Sequence, residues 1–274
     1  MTDDLPIGVF DSGVGGLTVL NAIQKILPGE ELLYLGDTAR VPYGTKSPES
    51  VIKYALQAAR VLVERGIKLL VVACNTASSV ALEALRKEFY PLPVLGVVEP
   101  GAMASCEISK SGRIAVIGTE GTVNGMAYQK AIRRIRPDAH ITAQPCSLFV
   151  ALAEEAWSEG ELVERIIHKY LSGIIDVSDE HRPDCLVLGC THFPVLEDSI
   201  KKVVGKSITV VDSAATTARM VSCELANHEM LRSNPIQKPP HFLVTDGPDR
   251  FARVAKIFFD SPVSLDNVEL VDLK

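Results

Sequence analysis

The feature that most constrains this chain is a repeated unit: a short apolar run, a loop of small residues, and an amphipathic helix. Residues 6–10 read as a buried strand that ends in Asp11-Ser12-Gly13-Val14-Gly15-Gly16. Leu17, Leu20, Ile23 and Leu27 then share one helical face up to a Pro28-Gly29 stop. Residues 31–35 repeat the strand and run into a long loop, 36–46. Ser47 and Pro48 follow as N-cap and first-turn residue of a helix that Gly66 closes. A third strand over 68–72 leads to Cys74-Asn75-Thr76 and a helix over 77–89. Such βα repetition predicts mainly parallel sheets covered by helices on both faces.

The second half restates the theme. A strand over 113–117 ends at Gly118-Thr119 and is followed by a helix to about Arg134. Residues 145–149 lead into a helix through Glu154 and Trp157, and 161–175 reads as another. A strand over 184–188 ends at Gly189-Cys190-Thr191-His192. One over 208–211 ends at Asp212-Ser213, ahead of a helix to about His228. The proline-rich segment 233–240 reads as a linker before a strand over 242–244, a short helix and a last strand. Cys74 and Cys190 both stand just past an apolar strand, and in the same order relative to an early glycine-containing loop. These matches predict two similar α/β domains, 1–98 plus 212–274 and 99–211, with the active site in the cleft between them.

With 274 residues, 47% of them hydrophobic and 23% charged, the chain is long enough for two cores. Net charge of −6 and 5% aromatic residues argue against nucleic acid as a partner. No apolar run approaches the ~18 residues that cross a bilayer, so no membrane partner is expected. The start, Met1-Thr2-Asp3-Asp4-Leu5-Pro6, lacks a charged-then-apolar leader, which points to the cytoplasm. In that reducing compartment the six cysteines are expected as free thiols.

Ligands in open α/β sheets bind beyond the carboxyl ends of the strands, where every candidate here falls. The loop after Asp11 is not a nucleotide cradle: Thr18 stands where a dinucleotide fingerprint has its third glycine, and Asp11 would repel a pyrophosphate. Asp11 suits a substrate amino group, or else Asp11 and Ser12 merely cap the next helix. Cys74 and Cys190 each precede a helix or turn start, where N–H dipoles favour a thiolate; the alternative is a small buried apolar residue. Cys106, Cys146, Cys185 and Cys223 lack that setting. Cys185, Cys190 and His192 make no zinc site, because Cys185 and Cys190 bracket a strand rising about 3.3 Å per residue. No metal is expected. His192 stands two residues past Cys190, where it can exchange that thiol's proton. Of Glu154 and Glu155, about 100° apart on a helix, one at most faces a cleft, and a solvated face is the commoner fate of such a pair.

Together, Phe10-Asp-Ser-Gly-Val-Gly-Gly-Leu17, Tyr34-Leu-Gly-Asp-Thr-Ala-Arg-Val-Pro-Tyr-Gly44, Ala73-Cys-Asn-Thr-Ala-Ser78, Val97-Val-Glu-Pro100, Ile117-Gly-Thr119 and Leu188-Gly-Cys-Thr-His-Phe-Pro194 resemble the motifs of the bacterial glutamate racemase family. The resemblance spans about residues 7–215. It departs at Cys146-Ser-Leu-Phe-Val-Ala-Leu152, where the family shows prolines in place of Ser147 and Ala151. It implies racemisation of glutamate for peptidoglycan without a cofactor, with Cys74 deprotonating D-glutamate and Cys190 L-glutamate. By the same resemblance Asp11, His192 and Glu154 assist the thiols. Asp11, Ser12, Tyr43, Gly44, Asn75, Thr76, Thr119, Thr191 and His192 match substrate-holding positions, and a homodimer is expected. The rivals are an aspartate racemase, a hydrolase using Cys190 with His192, and a two-lobed amino-acid-binding protein.

Overall fold

The computed structural model describes residues 4–235 and 237–273. The reading of the start at Met1, Thr2 and Asp3 lies outside the described residues, as does Ile236 of the 233–240 segment. The strands are β1 (Ile7–Asp11), β2 (Leu32–Gly36), β3 (Leu69–Val72), β4 (Val94–Gly96), β5 (Arg113–Gly118), β6 (His140–Pro145), β7 (Cys185–Gly189), β8 (Thr209–Asp212), β9 (His241–Val244) and β10 (Val268–Leu270). They form two wholly parallel sheets, ordered β10-β9-β2-β1-β3-β4 and β6-β5-β7-β8.

The run β2-β1-β3-β4 has the same topology as β6-β5-β7-β8: the second strand lies outside the first, and the third and fourth continue on the other side. The expected pair of like α/β domains is thus present. Cys74 follows β3 and Cys190 follows β7, the third strand of each set.

The helices are α1 (Leu17–Ile26), α2 (Pro48–Glu64), α3 (Asn75–Val80), α4 (Leu82–Glu88), α5 (Val98–Ile108), α6 (Glu120–Asn124), α7 (Ala127–Ile135), α8 (Leu148–Glu154), α9 (Glu161–Ile175), α10 (Glu197–Val204), α11 (Ser213–Asn227) and α12 (Pro248–Phe258). Alternate strand residues feed opposite layers, as the two-residue period of a strand requires. In the first sheet Val9 and Val71 face Leu20, Val221 and Phe251, whereas Phe10 and Val72 face Ala55, Leu62 and Leu85. In the second, Ile117 and Leu188 face Phe149 and Ile167, whereas Val116 and Val187 face Ala102, Tyr128 and Ile132. Each fully buried Val, Leu, Ile or Phe side chain in these layers stabilises the fold by about 1.5–3 kcal/mol. Among the described residues no helix is long and apolar enough to cross a membrane.

Several elements differ from the sequence reading. The helix over 77–89 is two, α3 and α4, because Ala81 ends one and begins the next at φ −107°. The helix after Thr119 is likewise split into α6 and α7 by Met126, whose φ is +54°. The helix through Glu154 stops there, with Ala156 at φ +58°, and leaves Trp157 outside it and exposed. Four elements carry little sequence signal. β4 has three residues, and the edge strand β6 (HITAQP) has no fully buried position. α5 holds Pro100 and Gly101, and α10 is short.

Candidate active site

The carboxyl ends of the two sheets face each other, and the sequence candidates meet there. Asp11 closes β1 as a fully buried residue; its Oδ2 accepts the Gly13 N–H at 2.9 Å, and its Oδ1 is buried without a hydrogen-bond partner. Burial raises its carboxyl above the ordinary value, opposed by the His192 charge and by the amides of Gly16, Gly13 and Ser12. Neither Asp11 nor Ser12 caps the helix α1. The N-cap of α1 is Gly16, which receives no side-chain cap.

Cys74 is the N-cap of α3. Its thiol donates to Ser12 Oγ at 3.4 Å, and Sγ accepts the Ala77 N–H at 3.4 Å. The local rule that a helix start favours thiolate loses here. Burial pushes the thiol up to about 12, with the Asp11 charge acting in the same direction; the two hydrogen bonds only partly offset them. A charge on Cys190 also raises Cys74.

On the facing side, His192 Nδ1 stands 3.9 Å from Cys190 Sγ, and Nε2 stands 3.2 Å from Glu154 Oε1. Burial would pull the imidazolium down, but Cys190, Glu154 and Asp11 outweigh it and raise His192 to about 10. The His192 hydrogen bond in turn holds Glu154 below the usual carboxylate range, against a burial penalty. Of the adjacent glutamates, Glu154 is therefore the one aimed at the cleft. Its other oxygen, Oε2, accepts from Arg250 Nη2 at 3.1 Å.

The remaining candidates form a seam between the domains. Asn75 Oδ1 accepts the Tyr128 hydroxyl at 2.7 Å, while Asn75 Nδ2 is buried without a partner. Thr76 Oγ1 lies 2.9 Å from Thr119 Oγ1, and Thr119 caps α6 through the Thr122 N–H. A Cβ at Gly44 would stand 2.5 Å from Thr119 Cβ, so only glycine lets the 36–46 loop approach. The Thr191 carbonyl accepts from Thr18 Oγ1 at 3.3 Å.

Two motif positions are placed in ways that the sequence did not convey. The Tyr43 side chain does not face the cleft: its ring is buried against Phe10 and Tyr54, and its hydroxyl donates to Asp37. That carboxylate also takes Arg40 at 2.7 Å and Thr245 at 2.9 Å, so Tyr43 helps to anchor the loop and can offer only its peptide groups to a ligand. The glycines after Asp11 also have a purpose that the motif alone did not convey. A Cβ at Gly15 would stand 2.5 Å from both His192 Nδ1 and Thr191 Oγ1, so that loop is glycine-rich to admit the other domain.

Sequence reasoning missed Tyr128, Tyr34 and Arg250. Tyr34 supports the first loop by donating to the Gly13 carbonyl at 2.9 Å. Tyr34 sits in an apolar strand and Tyr128 on the buried face of an amphipathic helix, where a buried phenol that must find a partner was the available signal. A cavity of about 120 Å³ lies beside Glu154 and Arg250, bounded by Gly13, Val14, Val41 and Val254. Among the described residues no three His, Cys, Asp or Glu side chains are grouped to hold a metal ion.

Two matched α/β domains with a buried thiol past the third strand of each, a carboxylate beside one and an imidazole beside the other, make this a two-lobed α/β enzyme. The sequence profile of the Asp/Glu/Hydantoin racemase family matches residues 7–221, and the chain belongs to that family. It is 52% identical over 252 residues to the glutamate racemase of Geobacter metallireducens, covering 92% of each chain. Its fold superposes with a TM-score of 0.91 on glutamate racemase from Francisella tularensis solved with D-glutamate, at 34% identity over 99% of this chain and 98% of that one. The RacE1 isoform of Bacillus anthracis gives the same TM-score at 36% identity, again over 99% and 98%.

Proposed function

We propose that this protein interconverts L- and D-glutamate by direct proton transfer at Cα, with no cofactor, and so supplies D-glutamate for peptidoglycan. The observation that carries this reading is the placement of Cys74 and Cys190 at corresponding positions of two like sheets that face one another. A base on one side of Cα and an acid on the other can invert the centre without relocating either group.

In the direction from L-glutamate, the Cys190 thiolate takes the Cα proton and the Cys74 thiol delivers its own to the opposite face. The products are D-glutamate, a Cys190 thiol and a Cys74 thiolate; the reverse reaction restores the starting protonation. Protonated His192, held by Glu154, stabilises the Cys190 thiolate. Asp11 disfavours charge on Cys74 and thereby keeps it a proton donor. The two unpartnered buried atoms match the ends of an amino acid: Asp11 Oδ1 suits the ammonium group, and Asn75 Nδ2 suits a carboxylate. Ser12, Thr76, Thr119, Thr191 and the backbone at Tyr43 and Gly44 complete the holding positions. The carbanion lacks a conjugated sink, so its charge must be met by preorganised donors in a cleft that closes and excludes water.

The same reading divides the chain into 1–98 plus 212–274 and 99–211, and places it in the cytoplasm as a homodimer. The strand membership of the two sheets supports the division. Chelator-treated protein without added cofactor should abolish the optical rotation of L-glutamate while the amino acid concentration stays constant. Persistent rotation with glutamate, together with its loss from L-aspartate, would reject the substrate assignment.

A further inference from the structure

The helix α12 lies beyond the span of the family profile, which ends at residue 221, yet two of its residues reach the His192 side of the cleft. Phe258 meets the imidazole edge to face, with ring centroids 5.2 Å apart at 77°. Arg250 is half-exposed and pairs with Glu154. The contacts then run in one line: Arg250 Nη2 to Glu154 Oε2 at 3.1 Å, Glu154 Oε1 to His192 Nε2 at 3.2 Å, and His192 Nδ1 to Cys190 Sγ at 3.9 Å. Each carboxylate oxygen serves one partner. The line also crosses the domains, because α12 packs in the core layer of the first sheet while α8, which carries Glu154, packs mainly on the second.

A carboxylate at the end of a helix, one-fifth exposed, has water as a competing partner. A second, charge-assisted bond on Oε2 removes the rotamers in which Oε1 leaves the imidazole. We propose that Arg250 is a positioning residue: by holding Glu154 Oε2 it fixes Oε1 on His192 Nε2, and so keeps His192 charged and aimed at Cys190. This rests on the reading of His192 as the partner of a reacting thiol. The charged and titratable groups around the ring are Cys190, Glu154 and Asp11, with Arg250 beyond Glu154.

The positioning role and a simple charge effect have opposite signs. Deleting a cation two contacts away would, by Coulomb's law alone, make His192 hold its proton more tightly. Freeing Glu154 to leave the ring makes it hold the proton less tightly.

The test is a carbon-13 NMR titration of histidine-labelled full-length protein, with the His192 signal identified by its loss in His192→Asn. In Arg250→Ala the His192 midpoint should fall by about half a pH unit or more, and Arg250→Lys should return most of it. Racemisation should lose about 2- to 5-fold in kcat/KM, the effect of a partly exposed ion pair, with its basic limb moved to lower pH. Because racemisation has an equilibrium constant of one, that loss must be the same from either enantiomer. An unmoved or raised midpoint in Arg250→Ala overturns the proposal, as does a lowered midpoint with unchanged kcat/KM. If the unmodified protein fails to racemise glutamate, the functional reading falls, while the titration still decides whether Arg250 positions His192.

Discussion

The Tyr128 hydroxyl donates to Asn75 Oδ1 at 2.7 Å, joining α7 to the residue that follows Cys74. Both groups are buried. With Oδ1 engaged by the phenol, Nδ2 is the buried donor left without a partner.

Tyr128→Phe should therefore release the Asn75 amide to flip. The expected result is a KM for glutamate raised about 5-fold with a smaller change in kcat, together with a stability loss of about 0.5–1.5 kcal/mol. Steady-state kinetics and denaturant melts measure both. An unchanged KM would show that Asn75 does not hold substrate.

Gly15→Ala places a methyl group where His192 Nδ1 and Thr191 Oγ1 now stand 2.5 Å from the Cβ position. The strain comes from contact alone, because Gly15 is not among the glycines with positive φ. The 190–192 loop must retreat, and misplacement of that kind costs activity on the order of 10²-fold. Comparison of kcat/KM with the melting temperature checks this: activity should collapse while the fold survives.

Asp11 carries a pH signature. Its carboxyl is raised in the folded chain, so the stability it contributes is full below its unfolded value and is lost as pH rises through the folded one. Asp11→Asn removes that loss. Thermal melts should show the variant level with the parent near pH 3 and more stable by about 2–4 °C at pH 8. Its racemase turnover should nonetheless drop by about 10²-fold, because the charge beside Cys74 belongs to the reaction. A variant that is less stable at pH 8 would contradict the burial argument.

Local rules reached the strand ends and went little further. Asp11, Cys74, Thr119 and Cys190 were legible because apolar runs of parallel strands announce where their carboxyl ends lie, and chemistry in such sheets gathers there. The pairings across the cleft were not. Gly15 against His192, Asn75 with Tyr128 and Glu154 with Arg250 each join elements far apart in sequence, brought together by the docking of two domains. Tyr43 illustrates the same limit within one loop: its motif marked the position, but Asp37 fixes where the phenol points. Cys74 shows it for charge. The helix start argued for a thiolate, and burial, which depends on the whole fold, decided for the thiol.

The most direct test of the central claim is racemisation of L-glutamate in D₂O, followed by the appearance of Cα deuterium in each enantiomer, for the parent, Cys74→Ser and Cys190→Ser. Two thiols on opposite faces predict that deuterium enters the D-enantiomer once per inversion, well ahead of its entry into unconverted L-glutamate, and that either serine variant abolishes turnover. Deuterium entering recovered L-glutamate as fast as the product, or a serine variant that still inverts glutamate at the parent's rate, would contradict it.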